Sequence, residues 1–486
     1  MTGIVSESEV RTGLYIGGAQ EDAAETFAVH DPADPQLVVG HAAAASEDQA
    51  RRAVAAAHEA FPAWAGVGAH ERAAQVKASL GALAADNDER VELLSRENGK
   101  VRSECEIEMH VVESRFELAA GLADVVARVR ELPAPPFRTE VSHLPLGVVS
   151  LIVPFNWPLA ILAASLPQAL VAGNTVVVKA PPTTPLSFVR TVELIAAQLP
   201  PGVLNVVSGH DAVLGPVLIQ DPRVRKVGFT GSPGAGKRIM AMAADNLTRV
   251  TLELGGNDPA IVLADAEVTE ETIGKLYVGA FLTTGQVCMA MKRLYVHRSH
   301  YDAVVEGLSG AVGGQKLGPG LNPDATMGPL NSERQREYVG ELLEDARSGA
   351  EVRELGEAVD EAAIARGRFM RPSLVLDPRP DARVVTEEQF GPTLPIIAFD
   401  DEKDAIAMAN DTWSGLCSSV WSSDDEHVAR VAAQLRTGTT FVNAHNAPFL
   451  DERAPFGGFN QSGMGREMGE EGILAFTDTH SVSYPA

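Results

Sequence analysis

The sequence predicts an α/β protein with parallel sheets, and three observations support that prediction. Strand-like and helix-like segments alternate over most of the chain. The strand-like segments are apolar on both faces, as strands are when helices cover both sides of a parallel sheet. The chain has 486 residues, of which 45% are hydrophobic. This length suits about two to four domains with large cores.

The first group of elements has the pattern of successive βαβ units. Ser46 is the expected N-cap of an Ala-rich helix over 47–61. Gly173 is the expected stop of a buried helix that begins near 159. The other segments are predicted as strands at 148–154, 174–180, 202–209 and 225–231, with helices at 185–200 and 212–221 between them.

A second α/β section follows Gly255 and Gly256. Its predicted strands lie at 259–264, 293–298 and 394–400, and its predicted helices lie around 269–283, 300–312 and 331–348. The Pro-rich segment 131–147 alternates in polarity, which is typical of an extended arm or an edge hairpin. The C-terminal tail also ends in a strand-like segment.

The composition excludes several classes of protein. A formal net charge of −25 argues against nucleic acid or an anionic membrane as a partner. No apolar stretch reaches the ~20 residues that cross a membrane, and the first residues lack a signal-peptide pattern, so a cytoplasmic location is expected. Cys105, Cys288 and Cys417 lie far apart in the chain, so neither a metal site nor a disulfide framework is expected.

The Gly-rich segment FTGSPGAGKRIM, residues 229–240, has two phosphate-binding interpretations. It follows an apolar strand and precedes a helix, whose N-terminal N–H groups and dipole favour phosphate. The spacing from Gly231 to Lys237 matches a P-loop, but Arg238 stands where a P-loop needs a hydroxyl for Mg²⁺. The loop therefore fits a dinucleotide pyrophosphate better than a hydrolysable triphosphate. A tight turn before a surface helix is the alternative without a function.

Three further residues stand beside the ends of apolar segments. Asn156 follows the strand at 148–154, Glu253 lies at the end of the segment RVTLEL, and Cys288 lies among small apolar residues. A thiol, a carboxylate base and an amide donor for an oxyanion are the groups that covalent chemistry at a carbonyl requires. Each of them alone also fits a structural role, because a buried Cys is more often a small hydrophobic residue than a nucleophile.

Eight ordered motifs give the chain a resemblance to a known family. The resemblance runs from about residue 20 to the C-terminus. The motifs that carry it are PFNWPL, AGNTVVVKA, GFTGS, LELGG, GQVC, EEQFGP, NDTWSGL and APFGGFNQSGMGRE. In this order they resemble the NAD(P)-dependent aldehyde dehydrogenase superfamily. The resemblance implies a Rossmann-type coenzyme domain (1–123 and 146–253), an α/β catalytic domain (254–455) and a small β arm for oligomerisation (124–145 and 472–486). It also implies a homodimer or homotetramer that acts on a small-molecule aldehyde.

The resemblance further implies a set of coenzyme contacts. Gly231 and Ser232 match the positions at the pyrophosphate, and Lys179 matches the lysine at the adenosine ribose. Pro182 stands where many relatives have a ribose-binding Glu, so NAD and NADP both remain open. The full set of implied coenzyme positions is Lys179, Phe229, Gly231, Ser232, Gly255, Glu388 and Phe390.

The chemistry implied by the resemblance is oxidation of an aldehyde to a carboxylic acid. Cys288 would attack the carbonyl, Asn156 would hold the oxyanion, and Glu253 would activate the water that releases the acid. Relatives that transfer the acyl group to coenzyme A generally lack this Glu, so free acid is the expected product. A P-loop nucleotide hydrolase and a non-catalytic relative are the alternatives, and the retained set of three residues argues against both.

The implied substrate pocket favours an uncharged apolar or aromatic aldehyde. It contains no obvious Arg or Lys that would pair with a carboxylate, so a semialdehyde is the less favoured alternative. Lys292 and Arg293 would reverse this preference if they faced the pocket. The implied pocket residues are Ile161, Ala164, Leu282, Val287, Met289 and Phe449.

Overall fold

The computed structural model describes residues 10–134 and 136–485. Parts of the predictions lie outside the described residues: the expectation about the first residues, the start of the segment 1–123, Pro135 in the arm and the last residue of the tail. Within the described part of the chain, no helix is long and apolar enough to cross a membrane.

The N-terminal third contributes two helical layers and several short strands. Ser46 begins the first helix with a capping box, because its hydroxyl accepts the N–H of Gln49 while the Gln49 side chain accepts the N–H of Ser46. The elements in order are β1 (Val10–Thr12), β2 (Leu14–Ile16), β3 (Ala19–Glu21), β4 (Glu25–Asp31), β5 (Asp34–Ala44), α1 (Glu47–Ala65), α2 (Ala69–Ser79), α3 (Asn87–Asn98), α4 (Arg102–Gly121), α5 (Ala123–Ala127), β6 (Arg130–Ala134) and β7 (Phe137–Pro145).

The second segment is the predicted run of βαβ units. Gly173 ends the buried helix in the left-handed conformation, with φ of 101°, as the sequence indicated. The elements are β8 (Val148–Ile152), α6 (Pro158–Ala172), β9 (Thr175–Lys179), α7 (Leu186–Ala196), β10 (Leu204–Val207), α8 (Asp211–Gln220), β11 (Val224–Gly231), α9 (Pro233–Ala243) and β12 (Arg249–Leu254).

The remaining chain forms the second α/β section and returns at its end to the first. Its elements are β13 (Asp258–Val262), α10 (Glu270–Phe281), β14 (Met291–His297), α11 (Tyr301–Gly313), β15 (Lys316–Leu317), α12 (Glu333–Arg347), β16 (Glu351–Glu354), β17 (Glu357–Ala358), α13 (Glu361–Arg366), β18 (Ser373–Leu376), α14 (Arg383–Thr386), β19 (Thr393–Phe399), α15 (Glu402–Asn410), β20 (Cys417–Trp421), α16 (Asp425–Ala432), β21 (Thr439–Val442), β22 (Gly463–Met464), α17 (Gly469–Leu474) and β23 (Thr477–Pro485).

The first large sheet has the strand order β22-β12-β11-β8-β9-β10-β2-β3. Strands β8 to β12 are parallel, whereas β22 and β2 are antiparallel additions at the two sides. Alternate residues of one strand face different cores: Val176 and Val178 pack with α6 and α7, while Val177 packs with α1 and α8. Helices therefore cover both faces, which explains why the strands are apolar throughout.

The second large sheet has the order β16-β18-β19-β14-β13-β20-β21, and it is parallel except for β16. Residues of its two faces also pack into separate cores, one with α10 and α11 and the other with α15 and α16. The fold class predicted from the sequence is confirmed.

The Pro-rich segment forms a hairpin, as expected. Strands β6 and β7 pair antiparallel, and β23 pairs with β7 along its whole length, from Thr477 opposite Pro145 to Pro485 opposite Phe137. The predicted C-terminal segment 472–486 begins inside α17, so its strand starts only at Thr477.

Candidate active site

The predicted residues of the first sheet meet at one edge because their strands are parallel and in register. Ile152 of β8 lies opposite Phe229 of β11, and Thr230 of β11 lies opposite Glu253 of β12. The loops that leave the carboxyl ends of these strands carry Asn156, Ser232 and Gly255. Ligands bind at this edge in open α/β sheets.

A cavity of ≈ 570 Å³ occupies this edge. It lies between the first sheet and three parts of the second section: α12, the segment after α14 and the segment before β20. Eight of the predicted site residues line it: Asn156, Gly231, Ser232, Glu253, Gly255, Cys288, Glu388 and Phe390. Other lining residues were not predicted: Glu387, Trp413 and Gln461 belong to the quoted motifs EEQFGP, NDTWSGL and APFGGFNQSGMGRE, whereas Gln335 and Tyr338 of α12 belong to none of them.

The cleft fits an extended dinucleotide at its first-sheet end. Ser232 is the N-cap of α9, and its hydroxyl accepts the N–H of Ala235. The start of this helix, with the positive end of its dipole, faces the cleft beside Gly231, while the N–H groups of Ala235 and Gly236 donate to Ser232. Lys237 turns instead to the Gln461 side chain, with its Nζ 2.7 Å from Oε1. The helix start therefore offers the positive end of its dipole to a phosphate and no triphosphate-binding lysine.

Gly255 is required by the close approach of a carboxylate. A Cβ atom placed on Gly255 would lie 2.1 Å from Oε2 of Glu388, and Oε1 of Glu388 accepts the N–H of Gly256 at 3.3 Å. Burial raises the pKa of Glu388 to about 7, while Lys292 and the Gly256 N–H act in the opposite direction. Glu388 thus reaches across from the second section to the turn that follows β12.

Two predicted coenzyme residues lie beside the cleft rather than in its wall. The ring of Phe229 packs under Gly231, where an added Cβ would come within 2.5 Å of its Cζ atom. Lys179 is buried at the end of β9, and its Nζ lies 2.5 Å from the carboxylate of Asp211 in the first turn of α8. Asp211 is exposed, and no sequence pattern connects it with Lys179.

The loop that carries Cys288 is held in a strained conformation. Thr283, Thr284 and Gly285 have φ of 53°, 56° and 73°, in the left-handed region. The Thr283 N–H donates to Glu104 at 2.7 Å, and the Thr283 hydroxyl accepts the Trp157 indole N–H at 3.0 Å. Contacts with α4 and α6 therefore maintain a conformation that non-Gly residues rarely adopt.

Cys288 itself lies against the turn after β12 and beside Asn156. A Cβ placed on Gly256 would be 2.8 Å from the Cys288 carbonyl oxygen, so the two main chains touch. Asn156 is buried, and its Nδ2 donates to the Gln286 carbonyl at 2.9 Å. Because an amide nitrogen carries two hydrogens, one remains for a second acceptor.

Burial and nearby carboxylates change the pKa of the Cys288 thiol. The pKa of Cys288 is raised to about 12, first by burial and then by Asp258, Glu388 and Glu253, while Lys292 acts in the opposite direction. The thiol is therefore protonated near neutral pH, so nucleophilic attack requires a base that removes its proton.

Glu253 has the properties of that base. It is buried, and neither of its carboxylate oxygens has a hydrogen-bond partner in the described part of the chain. Burial raises its pKa well above the usual value, Glu467 raises it further, and Arg466 lowers it. Its Oε1 packs against Gly457, where a Cβ would come within 2.7 Å. A carboxylate with a raised pKa and no fixed hydrogen-bond donor is a stronger proton acceptor than an ordinary carboxylate.

A second, smaller cavity of ≈ 110 Å³ lies on the other side of Cys288. Cys288 and Asn156 line both cavities. Four of the six predicted pocket residues line this apolar cavity: Ile161, Leu282, Val287 and Met289.

The other two predicted pocket residues lie elsewhere. Ala164 lines a neighbouring pocket of ≈ 480 Å³, one helical turn further along α6. Phe449 is 37% exposed, and the wall of the small cavity is formed instead by Ala447 and Pro448 of the same turn. Ala164 lies on the same face of α6 as Ile161 but about one turn, ~5 Å, further along the helix, which is enough to place it in the neighbouring pocket.

Neither of the two basic residues that could have reversed the substrate preference lines the apolar cavity. Arg293 is buried and donates to the carbonyls of Asn257, Met408 and Ala409, so it does not face the cavity. Lys292 donates to the Gly285 carbonyl at 2.9 Å.

An ion pair missed by the sequence interpretation does line the apolar cavity. It joins Arg115 of α4 to Glu452, with Nε 2.7 Å from Oε1.

Comparisons with known proteins agree with this geometry. The aldehyde dehydrogenase family model matches residues 19–482. The glutarate-semialdehyde dehydrogenase of Pseudomonas putida is 36% identical, with 95% of each chain covered. The betaine aldehyde dehydrogenase of Bacillus subtilis is 35% identical over 90% of this chain and 89% of that protein.

A solved structure gives the same result for the fold. The betaine aldehyde dehydrogenase of Staphylococcus aureus in complex with NAD⁺ superimposes with a TM-score of 0.91 at 31% identity, covering 98% of this chain and 94% of that one. The chain belongs to the aldehyde dehydrogenase family, whose members are NAD(P)-dependent oxidoreductases that act on aldehydes.

Proposed function

We propose that the protein oxidises an uncharged aldehyde to the free carboxylic acid through a thioester on Cys288. One observation carries the proposal: Cys288 and Asn156 line both the large cleft and the apolar cavity. A thiol in that position can hold a substrate carbon from one cavity next to a coenzyme in the other. Covalent attachment also keeps the acyl group in place between the two halves of the reaction.

In the first half, the Cys288 sulfur bonds to the aldehyde carbon and the thiol proton passes to Glu253. The carbonyl oxygen becomes an oxyanion, which accepts the second N–H of the Asn156 amide and the Cys288 main-chain N–H. Fixed donors of this kind act in a site from which water is largely excluded, and losing one typically costs about 10²–10³ in rate.

The coenzyme would be held by Gly231 and the start of α9 at its pyrophosphate, by Lys179 at the adenosine ribose and by Glu388 and Phe390 at the nicotinamide ribose. When bound, NAD(P)⁺ supplies the acceptor for the hydride that leaves the former aldehyde carbon.

In the second half, Glu253 removes a proton from water, which attacks the thioester and releases the acid. The raised pKa of Glu253, caused first by burial and then by Glu467, suits a base that must return its proton to solvent in every cycle. A bound acyl group in the small cavity leaves the cleft side of Cys288 open to that water.

The substrate we propose is apolar or aromatic because the walls of the small cavity are mostly apolar. Its aliphatic and aromatic lining residues are Ile107, Val111, Trp157, Ala160, Ile161, Leu282, Val287 and Met289. A semialdehyde would bring a carboxylate into this surface at the cost of its hydration.

The coenzyme we propose is NAD⁺. Pro182 stands where many relatives have a ribose-binding Glu, so that carboxylate is absent. The carboxylate of Asp211 lies 2.5 Å from the Nζ of Lys179 instead. This carboxylate can accept hydrogen bonds from ribose hydroxyls, and it repels a 2′-phosphate.

Pre-steady-state kinetics of Glu253→Gln tests the proposed function. We expect the burst of reduced coenzyme and the turnover that follows it both to slow by about 10²-fold or more, because Glu253 is the base that removes the thiol proton before acylation and the water proton before deacylation. Cys288→Ala is the control and should give neither a burst nor turnover. A normal steady-state rate in Glu253→Gln, or strict dependence on coenzyme A, would contradict the proposal.

A further inference from the structure

The apolar cavity behind Cys288 contains one charged pair among its described lining residues. Arg115 and Glu452 face each other there, and their side chains are only 11% and 18% exposed. Arg115 also donates from Nη1 to the Ala160 carbonyl at 2.7 Å, and Ser114 donates its hydroxyl to Oε2 of Glu452 at 3.3 Å. The pair is therefore fixed in place by neighbours on both sides.

The same two residues line a second pocket of ≈ 480 Å³ beyond the small cavity. They are thus the shared boundary between the space next to Cys288 and the outer pocket that Ala164, Gln168 and Met468 also line. The tail of any aldehyde longer than the small cavity must lie beside this boundary.

We propose that the Arg115–Glu452 pair determines substrate specificity by rejecting aldehydes with a charged tail. This inference rests on the proposed function and narrows its substrate class. Each charge of the pair is already neutralised by the other, so neither is available to a substrate. A carboxylate tail would meet Glu452 and would have to displace it from Arg115, while a cationic tail would meet Arg115.

The cost of a charged tail is high because both side chains are shielded from water. A partly buried charge that loses its partner, or faces a like charge, is destabilised far more than one on the surface. The same argument predicts how the specificity can change. Removing the charge of Glu452 leaves the Arg115 guanidinium unpaired beside the cavity, and a guanidinium binds carboxylates with two N–H groups.

The test uses three benzaldehydes that share one ring and differ at the para position: 4-methyl, 4-carboxy and 4-trimethylammonio. For the wild type we expect kcat/KM for the 4-methyl compound to exceed that for either charged compound by at least about tenfold. For Glu452→Gln we expect the ratio of 4-carboxy to 4-methyl to rise by at least about tenfold. The ratio is informative because a general loss of structure would lower both values together.

Two further variants complete the experiment. In the double variant Arg115→Met with Glu452→Gln, the gain for the 4-carboxy compound should disappear, since no guanidinium remains. Glu117→Gln is the matched control, because Glu117 lines the outer pocket but pairs at the surface with Lys77, and its ratio should stay at the wild-type value.

The outcomes separate the two proposals. Absence of coenzyme reduction with every neutral aldehyde would overturn the proposed function. Activity on 4-methylbenzaldehyde together with equal use of 4-carboxybenzaldehyde would leave the function in place and overturn this inference. An unchanged ratio in Glu452→Gln would also overturn it.

Discussion

At the scale of single residues, the site depends on Glu253 being both buried and close to a second carboxylate. Burial is the larger cause of its raised pKa, and Glu467 adds to it. Only the ionised form accepts a proton, so the deacylation rate should rise as the pH rises through this pKa and fall as the pH drops below it. Glu467 is buried too, where Ser165 donates to it at 2.6 Å.

Glu467→Gln should therefore move the acid limb of the kcat profile to lower pH. Removing the neighbouring carboxylate removes one cause of the raised pKa of Glu253, so more of the base is ionised in mild acid. We expect the ratio of kcat at pH 6 to kcat at pH 8 to rise by roughly twofold or more. Steady-state rates over pH 5.5–9 measure this in buffers of constant ionic strength.

Glu471→Gln makes the same change of charge at an exposed position in α17 and is the control. Its acid limb should coincide with that of the wild type. An acid limb that stays in place in Glu467→Gln would show that Glu253 does not control the pH dependence of turnover.

The residues that could be predicted from the sequence are those whose position is set by the strand they follow. Asn156 and Glu253 lie at the ends of β8 and β12, so an apolar strand and a neighbouring polar residue were enough to place them at one sheet edge. Arg115 and Glu452 are 337 residues apart, and no local pattern connects them. Their pairing depends on how α4 packs beside the turn before β22. No local sequence pattern indicates this packing.

At the scale of elements, α8 brings a carboxylate to the end of β9. Asp211 is in the first turn of α8, and its carboxylate faces the ammonium of Lys179. The helix start holds the carboxylate in place, because negative charge is favoured in the first turn. In the function proposed above, this carboxylate takes the place of the ribose-binding Glu that is absent at Pro182.

Asp211→Asn should weaken the preference for NAD⁺ over NADP⁺. The wild type is expected to bind NAD⁺ at least about tenfold more tightly, since a like charge a few ångströms from a 2′-phosphate costs about 1–4 kcal/mol depending on exposure. In the variant, the ratio of the affinity for NAD⁺ to the affinity for NADP⁺ should fall by about fivefold, mainly because NADP⁺ binds more tightly. Titration calorimetry with each coenzyme, without an aldehyde, measures the ratio directly.

The control for this variant is Asp404→Asn, another exposed aspartate in the first turn of a helix, α15, where it is remote from the cleft. Its ratio should match the wild type. A wild type that prefers NADP⁺, or an Asp211→Asn variant with an unchanged ratio, would exclude Asp211 from coenzyme selection.

Elements with strong periodicity were predictable, and elements without it were not. Buried strands such as β9, and α1 with its Ser46 cap, agree with the prediction to within a few residues. The two-residue strands β15, β17 and β22 are too short to show a hydrophobic periodicity. They form because a partner strand is nearby. The left-handed turn at Thr283 was also invisible, since contacts with α4 and α6 hold it against the local preference.

At the scale of the whole molecule, the arm exposes several large apolar side chains, and clusters of this kind mark contact surfaces. Its three strands form a sheet outside the two large ones, with β6 and β23 at its edges. Large exposed apolar side chains are concentrated on it: Leu132, Phe137, Leu144, Val482 and Tyr484. A sheet with open edges and an apolar surface is suited to pack against a second copy of the chain.

The variant Phe137→Glu with Leu144→Glu should therefore dissociate the oligomer. We expect the wild type to have two or four times the subunit mass of 51.4 kDa, and the variant to have a smaller mass at the same concentration. Two charges in a contact that would otherwise be desolvated cost several kcal/mol, enough to shift the equilibrium by orders of magnitude at micromolar protein. Light scattering coupled to size-exclusion chromatography measures the masses.

Leu247→Glu is the control because Leu247 is 85% exposed in a turn outside the arm, and the oligomer should survive that change. Far-UV circular dichroism should show that both variants keep their secondary structure, since the arm contributes little to either large core. A monomeric wild type, or an oligomer unaffected by both charges, would mean that the apolar face of the arm is not the contact between subunits. The segment that carries Glu467 continues directly into β23. A contact between subunits at β23 would therefore also hold this segment in place beside Glu253. Dissociation should then lower turnover as well as mass.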